Sequence, residues 1–194
     1  MPADCTLRPM TCDDLAMVAG SLAAPHAREW WGNPVEQLAM VTEDLDNPLM
    51  DQRIASLRAV PLSYLQSYPV HAWPEGAPHL VDLPDLVDLP VGSVAVDCFI
   101  GPPAMLGQGD GTTMLRLYAK HRLQGAPAVV IDTDPANERA VRAYRRAGFR
   151  DVDLRSDVDL QRDGALQRDG AGDMTLVMRF GPADPDTRDL TVRA

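Results

Sequence analysis

Apolar and polar positions follow two different periods along this chain, and the switches between them mark out its elements. The run "CTLRPM" (Cys5 to Met10) is short and reads as an edge strand. "TCDDLAMVAGSLA" changes to a helical period, with Thr11 as its cap and acidic residues in the first turn. After "HAREWWG", the segment "NPVEQLAMVTEDL" opens another helix, capped by Asn33 and with Pro34 in its first turn. Gln52 to Val70 returns to alternation and predicts two strands joined near Arg58 and Ala59. Residues 71 to 90 are proline-rich without a period and read as a long loop, and "VGSVAVDCFI" (Val91 to Ile100) is the clearest strand.

The second half alternates element types. A glycine-rich stretch, "LGQGDGTTML", enters a helix with Met114, Leu117, Tyr118 and His121 on one face. "APAVVIDT" reads as a buried strand. "DPANERAVRAYRRAGF" predicts a helix with Asp134 as cap, Pro135 at its first position and Gly148 as its stop. A last pair of strands follows near Phe149 to Leu154 and Met174 to Phe180. Strand, helix, strand, helix, strand is the order of an α/β sheet with at least one parallel pairing.

Composition narrows the class. The chain has 194 residues, 45% of them hydrophobic, enough for one domain with its own core. A net charge of -10 argues against nucleic acid or an anionic membrane as the partner and suits a small cationic molecule. "MPADCTLRPM" lacks the basic and apolar regions of a signal peptide, and no apolar run approaches the roughly 18 residues of a membrane helix. Cys5, Cys12 and Cys98 are odd in number and widely spaced, and read as free thiols in a reducing cytoplasm. His71 and His79 are too isolated to imply a metal. Two tandem repeats, "LVDLPD" at Leu80 with "LVDLP" at Leu86, and "LQRDGA" at Leu160 and again at Leu166, read as duplicated loop sequence. The first of them adds Asp82, Asp85 and Asp88 beside a candidate binding site.

Gly107, Gly109 and Gly111 precede the third helix-patterned segment, and a loop of that kind exposes backbone N–H groups to an anion at a helix N-terminus. The Rossmann fingerprint fails on position, and the P-loop fails for want of Gly-Lys-Ser/Thr. Farther on, Asn137, Ala140, Tyr144, Gly148 and Phe149 are spaced N-x-x-A-x-x-x-Y-x-x-x-G-F. Together the two segments resemble the acetyl-coenzyme A site of the GNAT superfamily of N-acetyltransferases. The resemblance implies a single domain with a mixed, mostly antiparallel sheet flanked by helices, splayed where the glycine loop leaves its strand. It implies an acceptor-side half (1–100), an acetyl-coenzyme A half (101–180) and a tail (181–194).

By that resemblance, Gly107 to Thr112 hold the coenzyme pyrophosphate, with Ile100, Leu106, Gln108, Gly109, Asp110, Gly111, Asn137, Ala140 and Tyr144 completing the cofactor contacts. A carboxylate beside a pyrophosphate repels it, so Asp110 is expected to turn its side chain away. Tyr144 is placed near the thioester sulfur, and a phenol is a suitable acid for a thiolate leaving group. A core role for Tyr144 on the face of Ala136, Ala140, Ala143 and Ala147 stays open. Arg142, Arg145 and Arg146 are read mainly as a solvated face.

"HAREWWG", "YLQSY", Trp73, Asp97 and "DTDP" occur in the order found in aminoglycoside 6′-N-acetyltransferases, which the chain resembles over nearly its whole length. That implies transfer of acetyl to a 6′-amine by direct attack, with Asp97 as base and Asp134 as acceptor anchor. Trp31, Tyr68, Trp73 and Glu75 are the remaining candidate acceptor contacts. No metal is implied, and the protein is expected to act as a monomer or homodimer. The layout also resembles siderophore-lysine N-acyltransferases, so a hydroxylysine or polyamine acceptor, or an inactive binding domain of the same fold, remains open.

Overall fold

The computed structural model describes residues 5–70, 89–151, 166–168 and 174–181. Trp73, Glu75, both histidines of the long loop and the first repeat's aspartates lie outside them. The strands are β1 (Cys5–Pro9), β2 (Asp51–Leu57), β3 (Val60–Pro69), β4 (Val94–Ile100), β5 (Val129–Thr133), β6 (Arg150–Asp151), β7 (Leu166–Arg168) and β8 (Met174–Phe180). The helices are α1 (Leu15–Leu22), α2 (Pro25–Trp31), α3 (Pro34–Glu43), α4 (Asp110–Arg122) and α5 (Glu138–Ala147).

The strands form one sheet in the order β1-β2-β3-β4-β5-β8-β6, with β7 also on β8. Every pairing is antiparallel except β4 with β5. β3 and β4 are paired from Ser63–Ile100 to Pro69–Val94. β4 and β5 pair only at Val94–Val129 and Ala95–Val130, and beyond Ala95 the two strands separate.

Two layers cover the sheet. Alternation in β3 to β5 sends Leu65, Val96, Val129 and Ile131 into a core with Met114, Leu115 and Tyr118 of α4 and Val141 of α5. The opposite face sends Ile54, Tyr64 and Phe99 against Val18 and Leu22 of α1 and Val41 of α3. Tyr68, Ala95, Val130 and Val177 form a smaller cluster.

Local chemistry sets the boundaries, and several differ from the sequence reading. Thr11 and Asp14 close a capping box, but around a short 3-10 turn (Cys12–Asp14) that precedes α1. Asp14 accepts two bonds from Arg8 of β1 (2.7 and 2.5 Å), which holds its carboxyl down at about 2. Pro25 starts α2 within "PHAREWW" and Gly32, at φ 76, ends it. Asn33 accepts from Val35 N as the cap of α3. The strand expected from Val91 begins at Val94. The buried face of α4 is Met114, Leu115, Tyr118 and Ala119, while His121 is exposed, because both Leu115 and Ala119 turn under the sheet. "LQR" of the second repeat is strand β7, not loop.

Asp134 does not cap α5. It accepts from Ala136 N (2.7 Å) in a turn, and the helix starts three residues later with Asn137 accepting from Ala140 N (3.2 Å). Gly148, at φ 110, ends that helix as the sequence predicts.

Candidate active site

The separation of β4 from β5 opens a cavity of about 600 Å³, within the range of small-molecule sites. Three structures converge on it: the loop after β4, the α5 N-terminal turns, and the α2–α3 corner.

The loop forms the anion-binding end. Gly101 N bonds to Leu62 O (2.9 Å), which fixes the exit of β4. A short turn (Pro103–Met105) then leads to Gly107 (φ 76) and Gly109 (φ 86), both left-handed, which swing the chain into α4. No side chain caps that helix, and its first intrahelical acceptor is Gly109 O, bonded by Thr113 N (3.1 Å). The amides of Asp110, Gly111 and Thr112 therefore have no partner within the helix. A Cβ on Gly107 or Gly109 would meet nothing within 4 Å, so the backbone there stands open to a ligand. A Cβ on Gly111 would come within 2.9 Å of Ile100 Cδ1, so that glycine lets α4 close onto the end of β4.

Asp110 keeps its side chain out of this cradle. It does not line the cavity, and its charge is felt at Cys5 of β1, whose thiol is pushed up by burial and secondarily by Asp110. Gln108 turns back to donate to Ala104 O (2.6 Å), so its side chain is also absent from the wall. Leu106, Gly107, Gly109, Gly111 and Thr112 line it, as do Ile100, Asn137, Ala140 and Tyr144. The capping bond occupies the Asn137 carbonyl oxygen and leaves its amide nitrogen for a ligand. Arg139, Arg142 and Arg146 stand at the rim on α5. Arg142 pairs with Glu138 (2.7 Å), and Arg145 pairs with Asp151 away from the site.

The reacting groups sit in the middle. Asp97 lines the cavity from β4, on the same sheet face as Ala95 and Phe99. Gln66, opposite it on β3, donates to Asp97 Oδ2 (2.7 Å) and accepts from the Tyr64 hydroxyl (2.7 Å), so the carboxylate is held by a fixed amide. Asp132 lines the cavity from β5. Burial and the negative charge of Asp97 push its carboxyl up to about 7. On the other face the Tyr144 hydroxyl and the Cys98 thiol lie together. Burial, then Cys98, Asp132 and Asp97, raise the phenol well above 10 and keep it protonated at neutral pH. Burial and Asp97 push the Cys98 thiol up to about 12, so it is an inert neighbour, not a nucleophile.

The acceptor end is aromatic and acidic. Trp31 meets Phe99 edge-on (5.0 Å, 84°) and Tyr64 (6.3 Å, 79°) while lining the cavity. Asp134 is exposed at the opening, with one oxygen on Ala136 N. His26 of α2 donates from Nε2 to Ile100 O (2.7 Å) and ties this wall to the end of β4. Tyr68, expected as an acceptor contact, is only 1% exposed and does not line the cavity, because it packs from β3 against Ala95 and Val130.

An open anion cradle, a split between parallel strands, a held carboxylate and a protonated phenol are the parts of an acyl-transfer site. Residues 11–156 match the acetyltransferase (GNAT) domain family. The chain belongs to the GNAT acetyltransferases. Aminoglycoside N(6')-acetyltransferase type 1 of Klebsiella pneumoniae is 33% identical to this acyltransferase over 153 residues, covering 74% of this chain and 73% of that one. Aminoglycoside acetyltransferase AAC(6')-Ib, in a crystal structure with coenzyme A and kanamycin, shares the fold at TM-score 0.69 and 24% identity, covering 92% of this chain and 95% of that one. Spermidine N-acetyltransferase of Vibrio cholerae, with coenzyme A and spermine, does so at TM-score 0.61 and 12% identity, covering 92% and 95%.

Sequence reading placed Asp97, Tyr144 and the glycine loop of this acetyltransferase in one cavity, and the structure brings them together. Gln66, His26, Cys98 and Asp132 carry no local sequence signal of these positions. Their signal lies in the strand register, which alternation alone leaves undetermined. Among the described residues, no group of three or more His, Cys, Asp or Glu side chains is set to hold a metal. No described helix is long and apolar enough to cross a membrane.

Proposed function

We propose that the protein transfers the acetyl group of acetyl-coenzyme A to the 6′-amino group of an aminoglycoside, by direct attack within a ternary complex. One observation carries this reading. Asp97 and the Tyr144–Cys98 pair occupy opposite faces of the same strand split, which has an anion cradle at one end and an acidic, aromatic wall at the other.

When bound, the coenzyme supplies an activated acetyl group and a thiol leaving group. The free amides of Asp110 to Thr112 and the arginines of α5 suit its phosphates, and the split admits its narrow arm. Asp97, oriented by Gln66, accepts a proton from the acceptor's ammonium directly or through water, which frees the amine lone pair to attack. Tyr144, which carries its proton at neutral pH, is placed to donate it to the departing sulfur. Trp31 and Asp134 bound the acceptor. Holding amine and thioester together can contribute about 7–11 kcal/mol, so positioning carries most of the rate. The relatives named for aminoglycoside 6′-acetylation support this acceptor. Acetylation removes one cationic charge from the acceptor. Three unpaired cysteines suit a reducing cytoplasm.

The test is thiol release from acetyl-coenzyme A across kanamycin, tobramycin, spermidine and N-hydroxylysine. Release is expected with the aminoglycosides, and Asp97→Ala should lower it by about 10²–10⁴-fold. Release with spermidine or N-hydroxylysine alone overturns the acceptor, and absent acetyl-coenzyme A binding overturns the reaction.

A further inference from the structure

α2 has seven residues, too few to hold a fixed orientation by its own hydrogen bonds, so its place is set from outside. Two of its side chains, one at each end, reach consecutive residues at the end of β4. At the C-terminal end the Trp31 ring meets the Phe99 ring edge-on (5.0 Å). At the N-terminal end His26 donates from Nε2 to Ile100 O (2.7 Å). The sheet explains why that carbonyl is available. Across a trans peptide the Ile100 carbonyl points opposite to the Gly101 N–H, which is bonded to Leu62 O of β3. The carbonyl therefore faces away from β3, toward the side that β5 has left. The strand split orphans it, and a histidine from the acceptor wall answers it.

Ile100 also supports the coenzyme side. A Cβ on Gly111 would lie 2.9 Å from its Cδ1, so the first turn of α4 rests directly on it. Gly101 is as closely confined, since a Cβ there would meet Ser21 Oγ of α1 at 2.6 Å. One residue thus has the anion cradle on its side chain and the α2 wall on its carbonyl. His26, Trp30 and Trp31 of that wall all line the cavity. We infer that His26 is a positioning residue that couples the two halves of the site, so that filling the cradle tightens binding of the amine acceptor at the α2 wall. This inference rests on the functional reading above and adds a linkage to it. When the amides of Asp110 to Thr112 hold a phosphate, the start of α4 is fixed, and through Ile100 the end of β4 is fixed with it. The His26 bond passes that restraint to α2. Acceptor binding then has less of α2 left to order, which gives positive cooperativity without a change of shape. The neutral imidazole with its proton on Nε2 and the imidazolium both donate this bond, so the link does not depend on the charge of His26.

The experiment measures kanamycin binding by titration calorimetry with and without saturating coenzyme A, which carries no acetyl group and cannot react. In wild type, coenzyme A should tighten kanamycin binding by about fivefold or more, and kanamycin should tighten coenzyme A binding by the same factor. In His26→Ala that factor should fall to within about twofold of unity. The Kd of coenzyme A alone should stay within about twofold of wild type, because the cradle itself is untouched. His26→Gln, whose amide nitrogen can replace the Nε2 donor, should restore the factor. A merely structural role would weaken both ligands alike and leave the factor unchanged.

Hydrogen exchange on wild type gives a second readout that needs neither a variant nor an acceptor. Coenzyme A alone should slow exchange of the α2 amides from Arg28 onward, as well as those of α4. If kanamycin does not bind but spermidine does, with a factor that His26→Ala abolishes, the aminoglycoside reading falls and the coupling stands. If neither amine binds, exchange in α2 decides alone. The coupling is overturned if coenzyme A leaves α2 exchange unchanged. It is equally overturned if wild type shows no factor with an amine that binds, or if His26→Ala keeps the factor.

Discussion

Two neighbouring strand pairs in this sheet do opposite work. β2 and β3 stay paired from Asp51–Ser67 to Leu57–Val60, absorbing one irregularity at Ala55–Ser56. β4 and β5 pair at two positions and then part. The first pair is hydrogen-bonded along its length, and it reaches the site only through Gln66, which holds Asp97. The second leaves two strand edges and both sets of alternating side chains facing a cavity. Alternation then gives the opening two chemically different sides. Asp97 and Asp132 lie on one, and Cys98 with the Tyr144 hydroxyl on the other. In the proposed mechanism a proton is taken on the first side and given on the second, with a single strand thickness between them.

The largest expected effect breaks the second side without touching the first. Tyr144→Phe removes the hydroxyl and keeps the ring that packs beside Phe149 (6.2 Å between ring centres). Steady-state kinetics should show kcat down by about 10²-fold, the lower end for a positioned acid, with KM for the acceptor unchanged. Asp134→Asn, at the acceptor end, should do the reverse, raising the acceptor KM more than it lowers kcat. If both variants gave the same pattern, the two sides would not be separate.

A smaller effect is expected at the cradle. Gly109 sits at φ 86 with open space where a Cβ would go. Gly109→Ala places a methyl in that space and forces a left-handed alanine, costing about 1–2 kcal/mol of stability. KM for acetyl-coenzyme A should rise several-fold while the acceptor KM holds, and a thermal melt should fall by about 2–8 °C. A change in acceptor KM instead would mean that the loop and the acidic wall are not independent.

How much of this was legible depends on how local each signal is. The glycine loop, the stop at Gly148 and the strand ending at Ile100 are read from neighbours in sequence, and each stands where expected. Asp134 looked like the cap of α5 because Pro135 followed it. The intervening turn, closed by Asn137 N on Asp134 O (2.9 Å), moved the cap to Asn137. α2 was missed as an element because seven residues with two tryptophans carry too little period to read. The pairing of Asp132 with Asp97 depends on a two-residue parallel contact between strands separated by all of α4, and no local pattern encodes it. Tyr68 was misplaced for a related reason. Its face is buried by neighbouring strands whose register the sequence does not state.

The smallest prediction tests whether the fully paired side of the comparison is structural alone. The β2–β3 hairpin turns on Arg58 (φ 50) and Ala59 (φ 62), both left-handed, as a two-residue turn of this twist requires. Neither side chain favours that region, and Asn-Gly does. Arg58→Asn with Ala59→Gly should therefore stabilise the protein by about 1 kcal/mol, seen as a rise of about 2–4 °C in thermal unfolding. Both KM values and kcat should stay at wild-type levels, because Leu57 and Val60 remain paired and the turn lines no part of the cavity. A change in kinetics would show that the strain is transmitted along β3 to Gln66 and through it to Asp97. An unchanged melting temperature would show that the strand pairing already outweighs the turn's preference.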